Sequence, residues 1–548
     1  MRCSRYIRRT MTDIEIPLKK DKNAHYRFFE ILPGSLSWTM LFVPLILSLL
    51  NITLAAIFVL IYLLINFTRA ISAAIRALHG YSALQKNQKL DWRTLVDELQ
   101  AGEVSDPKAI RPKWHYDNLL RLGVQSMIVK PDEVLHAIIV ATYNEVREVL
   151  EPTIQSILES DFDMKKVIFI LAYEERGGER VQKQSEELVK EYKKGFFHAM
   201  AVKHPANIPN EVLGKGGNIT YAGRALKAWL EKENIDPLRV VVTTLDSDNR
   251  PHKKYLSTLT YAFCSCPDPI RSSFQPVSVY NNNIWDAPAP MRVLATGNSF
   301  FHIVQSLRPH SLRNFSSHAQ GMASLIETDF WSVRSIVEDG HQYWRSYFRF
   351  DGDYIVYPLH VSIYQDAVLS DTYRRTLKAQ FMQLRRWTYG ASDIAYIVDK
   401  GFFHKNKVPR LGLWARTLRS IEGHVTWAAG PILVLVGGFI PALVHPQSLA
   451  ANELPLIVSH VQTIALAFML VTVFICLKTL PPKPARYKRH RTLFMVLQWV
   501  YLPITTIVYN SFAAFYSQTR LMFGWYMDKF DVTEKAVVTE SGDVKKDI

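Results

Sequence analysis

Long uncharged apolar runs stand near both ends of the 548-residue chain, and charge collects between them, roughly from residue 69 to residue 420. The first run, residues 36–67, would be about 48 Å long as one helix, well beyond the ~30 Å hydrocarbon core of a bilayer. Asn51 sits in its middle and Pro44 lies upstream, so the pattern predicts two short spans joined by a tight turn. Residues 425–444 and 456–477 form two further candidates. The connector between them carries no Lys or Arg, whereas the next one holds Lys478, Lys483, Arg486, Lys488, Arg489 and Arg491. That asymmetry places the middle of the chain and this loop on the cytoplasmic side of an integral protein of the cell (inner) membrane. Basic residues before the first run (Arg5, Arg8, Arg9, Lys19, Lys20) and after it (Arg69, Arg76) require an even number of crossings. The last run, 493–519, contains Pro503. It either crosses once or, as we expect, doubles back or lies along the interface.

From residue 134 the periodicity changes. Apolar, β-branched runs at 135–141, 166–172, 198–203 and 239–245 predict strands, and the stretches 145–160, 179–194 and 219–233 predict helices. Such alternation indicates a Rossmann-like, mostly parallel sheet covered on both faces. Ligands in such sheets bind beyond the carboxyl ends of the strands. The expected organisation is therefore a cytoplasmic N-terminal segment (1–35), two transmembrane helices (36–67), a connector or interfacial extension (68–133), an α/β domain (134–410), further transmembrane or interfacial helices (411–524) and a C-terminal tail (525–548).

Composition narrows the class. The formal net charge is +15 and apolar residues make up 48%. The basic residues flank apolar runs, which favours a membrane partner over nucleic acid. Four cysteines without a Cys-x-x-Cys pair make neither a disulfide framework nor a zinc site. About 35 residues precede the first apolar run, which is too long for a signal-peptide core. No Gly-x-Gly-x-x-Gly follows the first strand and there is no Walker spacing, which argues against a dehydrogenase or an ATPase.

Candidate chemistry lies at the predicted strand ends and beyond. Asp246 and Asp248, at i and i+2 after a strand, can share one hard cation, Mg²⁺ or Mn²⁺, whose shell would include phosphate and water. Such a cation would neutralise charge as a nucleotide diphosphate departs. Alone, the triplet is equally a solvated acidic turn. The pair Glu338 and Asp339 opens a run rich in aromatics and arginine, His341, Tyr343, Trp344, Arg345, Tyr347, Phe348, Arg349 and Phe350, which suits a groove where rings stack on sugar faces. One of the two carboxylates, Asp339 by our choice, would serve as general base. Gln383, Arg386 and Trp387 fall at i, i+3 and i+4 of a helical stretch and share a face suited to pyrophosphate and a sugar ring. Lys215, at the start of a helix, is either a phosphate ligand or a surface lysine.

In this order, Thr142-Tyr143-Asn144-Glu145 at a strand end, Asp246-Ser247-Asp248, Glu338-Asp339 and Gln383-Leu384-Arg385-Arg386-Trp387 resemble the motifs of the membrane-bound family-2 glycosyltransferases. That group includes cellulose, chitin and hyaluronan synthases. The resemblance spans roughly residues 134–390 and the flanking apolar runs. Phe530, Val532, Thr533 and Lys535 are similar to the gating loop of cellulose synthase, which covers the nucleotide on the cytoplasmic side.

The resemblance implies a GT-A-like fold and an inverting, metal-dependent transfer of a sugar from a UDP-sugar to an acceptor hydroxyl. It implies that Thr142, Tyr143, Glu145 and Glu174 hold the nucleoside, with Lys215 among the nucleotide-binding residues. Asp246 would contact the nucleotide and Asp248 the metal. Asp339, beside Glu338, would deprotonate the acceptor, and Gln383, Arg386 and Trp387 would bind pyrophosphate and frame the acceptor. The chain departs from the family at Ala141, where proline is usual, at Glu174, where aspartate is usual, and at Val337, where threonine is usual. The expected partners are a nucleotide-sugar, a carbohydrate or lipid-linked acceptor and the bilayer. A polysaccharide synthase is the first reading. The alternatives are a non-processive transferase acting on a lipid, and a non-enzymatic membrane protein with a degenerate transferase domain.

Overall fold

The computed structural model describes residues 14–528, 535–538 and 544–545. Its central domain is a mixed eight-stranded sheet flanked by helices. The strands are β1 (Leu135–Thr142), β2 (Val167–Glu174), β3 (His198–His204), β4 (Val240–Asp246), β5 (Arg250–Pro251), β6 (Ser272–Tyr280), β7 (His318–Gly321) and β8 (Ile355–Gln365), in the order β3-β2-β1-β4-β7-β6-β8-β5. Neighbours from β3 to β4 are parallel, β7 opposes β4 and β6, β6 and β8 are parallel, and β5 opposes β8. The sheet is thus mostly parallel, of the Rossmann-like α/β class expected, with apolar helices flanking it.

The continuous apolar character of β1 and β2 has a direct cause: both faces are covered. Ile138, Val140, Phe169 and Leu171 pack towards Leu150 and Ile154 of helix Arg147–Leu158. Ala137, Ile139, Ile168 and Ile170 point the other way, towards Ile219, Ala222 and Leu226 of helix Lys215–Lys232. The segment expected as a connector behaves differently. Its first third continues a long helix, Ile52–Lys89, and Trp92, Leu95, Leu99 and Leu119 from its two later helices join the core under the sheet.

Among the described residues four helices are long and apolar enough to cross a membrane: Ala24–Leu50, Ile52–Lys89, Leu449–Thr479 and His490–Met522. The first pair meets at Asn51, whose side chain caps the second helix by accepting from the Thr53 and Leu54 N–H groups (2.8 and 3.3 Å). Leu449–Thr479 packs along Ile52–Lys89 through Val59, Leu63, Leu454 and Val458. The expected run 425–444 is divided between helices Arg410–Val436 and Phe439–Val444 and is not among the four.

The reversal expected at Pro503 does not occur. Helical backbone continues through it, and the irregularity is absorbed by a 3₁₀ turn at Gln498–Tyr501 and a π turn at Thr506–Ser511. Both ends of this helix touch the α/β domain: Arg491 donates to the Trp285 carbonyl (2.9 Å), and Thr388 donates to the Ala513 carbonyl (3.1 Å). The helix is thus tied to the domain at both ends.

Candidate active site

Sheet geometry gathers the chemistry. β1 ends at Thr142, β2 at Glu174 and β4 at Asp246, and all three ends open into one cleft of about 340 Å³. Helix Lys215–Lys232 brings Lys215 to it, helix Glu338–Arg349 begins in it with Glu338 and Asp339, and helix Tyr373–Thr388 presents Gln383, Arg386 and Trp387. Thr142, Tyr143, Glu145, Glu174, Lys215, Asp246, Asp248, Glu338, Asp339, Gln383, Arg386, Trp387 and Lys535 all line this cavity. Residues up to 393 positions apart in sequence are thereby neighbours. Phe530, Val532 and Thr533 lie outside the described residues.

The shared-face spacing of Gln383, Arg386 and Trp387 is realised on a helix whose Leu384 turns to the core. Trp387 leans on Tyr280 at the end of β6, with ring centroids 6.2 Å apart. The aromatic run after Asp339 does not form a sugar groove. Tyr343, Trp344, Tyr347, Phe348 and Phe350 are buried in a hydrophobic cluster with Tyr396 and Leu413, and none lines the cleft. Their helix is covered on nearly every side, so its rings serve packing.

Charge is tightly organised. Glu145 closes the loop after β1 by accepting from the Thr142 hydroxyl (2.7 Å) and from the Tyr143 and Asn144 N–H groups (2.8 and 3.2 Å). Burial alone would raise its pKa; the charge of Lys535 and these hydrogen bonds outweigh burial and lower it. Lys215 meets Asp246 at 2.6 Å and donates to the Ser316 carbonyl (3.0 Å). Burial of Asp246 is likewise overcome, by Lys215 and then Lys535, and its carboxyl stays below the usual range.

Glu338 and Asp339 go the opposite way. Burial raises both; the charge of Asp339 raises Glu338 further, and Asp246 adds to the rise of Asp339. Asp339 accepts from the Gly340 N–H at 2.7 Å.

Three features escaped the sequence reading. Asp366, just past β8, lines the cleft beside Asp248: its N–H donates to Asp248 Oδ2 (3.1 Å), and among the described residues its own Oδ1 has no hydrogen-bond partner. Burial and the Asp248 charge raise its pKa. Its strand contains Pro358 and His360, which hid the strand end. Residues 14–16 brace the loop leading to the acid pair: Glu15 accepts from Ser332 (2.5 Å), and Arg334 donates to the Ile16 carbonyl (2.9 Å). Glu174 is held by Arg176 (2.6 Å) and His204 (3.1 Å), and His204 also meets Glu211 (3.0 Å). Burial would lower the His204 pKa, but the two carboxylates raise it to about 9.

The donor set fits a hard cation. Lys535 Nζ lies 2.8 Å from Asp248 Oδ1, 2.7 Å from Ser247 Oγ and 4.0 Å from Glu145, a position where oxygen ligands already hold one positive charge. Among the described residues no group of three His, Cys, Asp or Glu side chains is arranged around a metal, so a cation at Asp248 would complete its shell with phosphate and water.

The chain matches no known family and no curated protein. It is similar in structure to the mannosyltransferase PcManGT from Pyrobaculum calidifontis in complex with GDP-Man and Mn²⁺, at 14% identity and a TM-score of 0.40, over 74% of this chain and 99% of that one. It is also similar to S. aureus TarS in complex with UDP-GlcNAc, at 10% identity and a TM-score of 0.34, over 75% of this chain and 96% of that one. A third likeness is to GalNAc-T7 with UDP, GalNAc and Mn²⁺, at 11% identity and a TM-score of 0.32, over 54% and 57%. These likenesses are remote, and the functional reading is built on the side chains of the cleft.

Proposed function

We propose that the protein is a membrane-associated, metal-dependent glycosyltransferase of the family-2 kind that moves a sugar from a UDP-sugar to an acceptor hydroxyl with inversion. The observation that carries this reading is the convergence of Asp246, Asp248, Asp339 and the Gln383–Arg386–Trp387 face on one cleft. The nucleoside would lie over Tyr143 and beside Glu145, Glu174 and Arg176. Arg386, Lys215 and Lys535 supply positive charge for the diphosphate. Mg²⁺ or Mn²⁺, held by Asp248 with Asp246 nearby, would neutralise charge on the leaving diphosphate when bound. Asp339 takes the proton of the acceptor hydroxyl, and its raised pKa makes it a better base than an ordinary aspartate. That hydroxyl attacks the anomeric carbon as the bond to the nucleotide diphosphate breaks. Burial and the charge of Asp339 push Glu338 up to about 8, so Glu338 keeps its proton beside the ionised base.

The acceptor side adjoins the apolar helices. Trp387 and Gln383 stand on helix Tyr373–Thr388, which contacts the end of helix His490–Met522, and Ser517 there donates to the Arg385 carbonyl (2.5 Å). At the next residue, polar groups continue between the helices: Ser37 donates to Gln518 (2.6 Å), and Gln518 to the His424 carbonyl (2.9 Å). Buried polar groups among spans mark pathways, and this line favours extension of a polysaccharide with the catalytic domain at the cytoplasmic face. The test is a panel of UDP- and GDP-sugars offered to the purified full chain with Mg²⁺ or Mn²⁺. Nucleotide release with one UDP-sugar, and a long radiolabelled product, is expected. No release with any donor contradicts the enzyme; a single-sugar lipid product contradicts the polymerase.

A further inference from the structure

Away from the cleft, three segments bring arginines to one surface. Helix Ile52–Lys89 carries Arg69 and Arg76, seven positions apart and so on one face. Helix Arg410–Val436 carries Arg416 and Arg419, and Arg308 follows helix Ala289–Ser306. The segments are held in contact. Arg69 meets Glu422 at 2.6 Å, and Arg416 donates to the His310 carbonyl (3.2 Å) and the Tyr343 hydroxyl (2.8 Å). Gly80 abuts the Ile303 carbonyl so closely that an added Cβ would sit 2.7 Å from it.

Four guanidiniums, Arg69, Arg76, Arg308 and Arg419, thus gather near one carboxylate, Glu422. Among the described residues the side chains of Arg76, Arg308 and Arg419 have no ion-pair or hydrogen-bond partner, and the Arg308 Nε is buried without an acceptor. Burial, then the nearness of Arg76, Arg419 and Arg69, lowers the Arg308 pKa. A bound anion would relieve this repulsion and supply an acceptor for the buried Nε. The surroundings indicate which anion. Leu411, Trp414 and Leu418 of one helix, and Ile75 and Leu78 of the other, are exposed apolar groups on the two helices that carry these arginines. Arg69 follows directly on the apolar stretch of its candidate span. Clustered guanidiniums at the end of a candidate span, on helices that also expose aliphatic and indole groups, match a phosphodiester with acyl chains attached, whereas nucleic acid or an acidic protein would not call for the exposed apolar groups.

We propose that Arg76, Arg308 and Arg419 form a binding site for the headgroup of an anionic phospholipid, which ties the α/β domain to the helices at the membrane surface. The full-length protein, in nanodiscs of phosphatidylcholine with or without phosphatidylglycerol, tests this by native mass spectrometry of retained lipid and by thermal stability. Wild type is expected to retain phosphatidylglycerol selectively. The variant Arg76→Gln/Arg308→Gln/Arg419→Gln should lose that selectivity by about tenfold or more. Equal retention of both lipids by wild type, or unchanged selectivity in the variant, overturns the proposal. So does protection by inorganic phosphate equal to that by the lipid, which would assign the site to a free anion. The exposed single substitution Arg419→Gln covers a failure of the triple variant to fold: it should weaken retention severalfold, and unchanged retention counts against the site.

Discussion

Two side chains carry the chemistry of the cleft, and each makes a distinct forecast. Asp339 is a buried acid whose pKa is raised. A raised acid holds its proton to higher pH, so its base form is lost sooner on acidification. The acid limb of kcat/KM should therefore lie above the ordinary aspartate value of ~3.9. A limb at or below that value would remove Asp339 as the base. Lys535 stands where a cation belongs, 2.8 Å from Asp248. Lys535→Ala should tighten direct Mn²⁺ binding in the absence of nucleotide, read by electron paramagnetic resonance. It should also weaken UDP binding in the presence of metal, because the ammonium then faces phosphate. If Mn²⁺ binding is unchanged, the lysine does not compete for that position. His204 makes a third forecast, on stability. Its pKa is raised to about 9 by Glu174 and Glu211, so its contribution is full below the unfolded imidazole value of ~6.5 and is lost as pH rises through about 9. Tm should fall over that window, and His204→Gln should flatten the fall.

At the scale of elements, the cleft depends on how helix Glu338–Arg349 is seated. Gly216 touches it: an added Cβ would lie 2.3 Å from the Ser332 carbonyl and 3.2 Å from the Glu338 Cβ. Gly216→Ala should displace the acid pair and lower kcat strongly while leaving the secondary structure intact by circular dichroism. Trp344, fully buried on the same helix, should behave oppositely: Trp344→Ala should cost about 3–5 kcal/mol of stability, seen by denaturation, with little change in KM. The helix also shows where sequence reading succeeds and fails. Asp246, Asp248 and the Gln383–Trp387 face were legible because each stands at a strand end or at helical spacing, where local pattern sets direction, whereas Glu338 and Asp339 were picked out by the aromatic run that follows them. The aromatic run was misread because composition cannot tell a ring packed on a core from one facing a groove. Strands β6, β7 and β8 were not anticipated, since Pro276, Pro358 and polar residues break their apolar runs and tertiary pairing alone makes them strands. Asp366 was lost with β8.

At the scale of the whole molecule, an α/β domain sits against apolar helices whose polar contacts begin at Arg385 and Thr388 and continue through Ser37, Gln518 and His424. Asn51 was readable as the break between the first two helices, because an isolated polar residue in an overlong apolar run has few other uses. The course of His490–Met522 was not readable, since proline marks a turn or a tolerated irregularity with equal ease, and only packing against Trp285 and Thr388 decides. The account rests on acids from distant motifs acting as one site. Donor binding and nucleotide release, measured side by side on wild type and Asp339→Asn with the preferred UDP-sugar, test this most directly. The prediction is donor affinity within a few-fold of wild type and release lowered at least about 100-fold. Undiminished release, with the substitution verified and the fold intact, would contradict it.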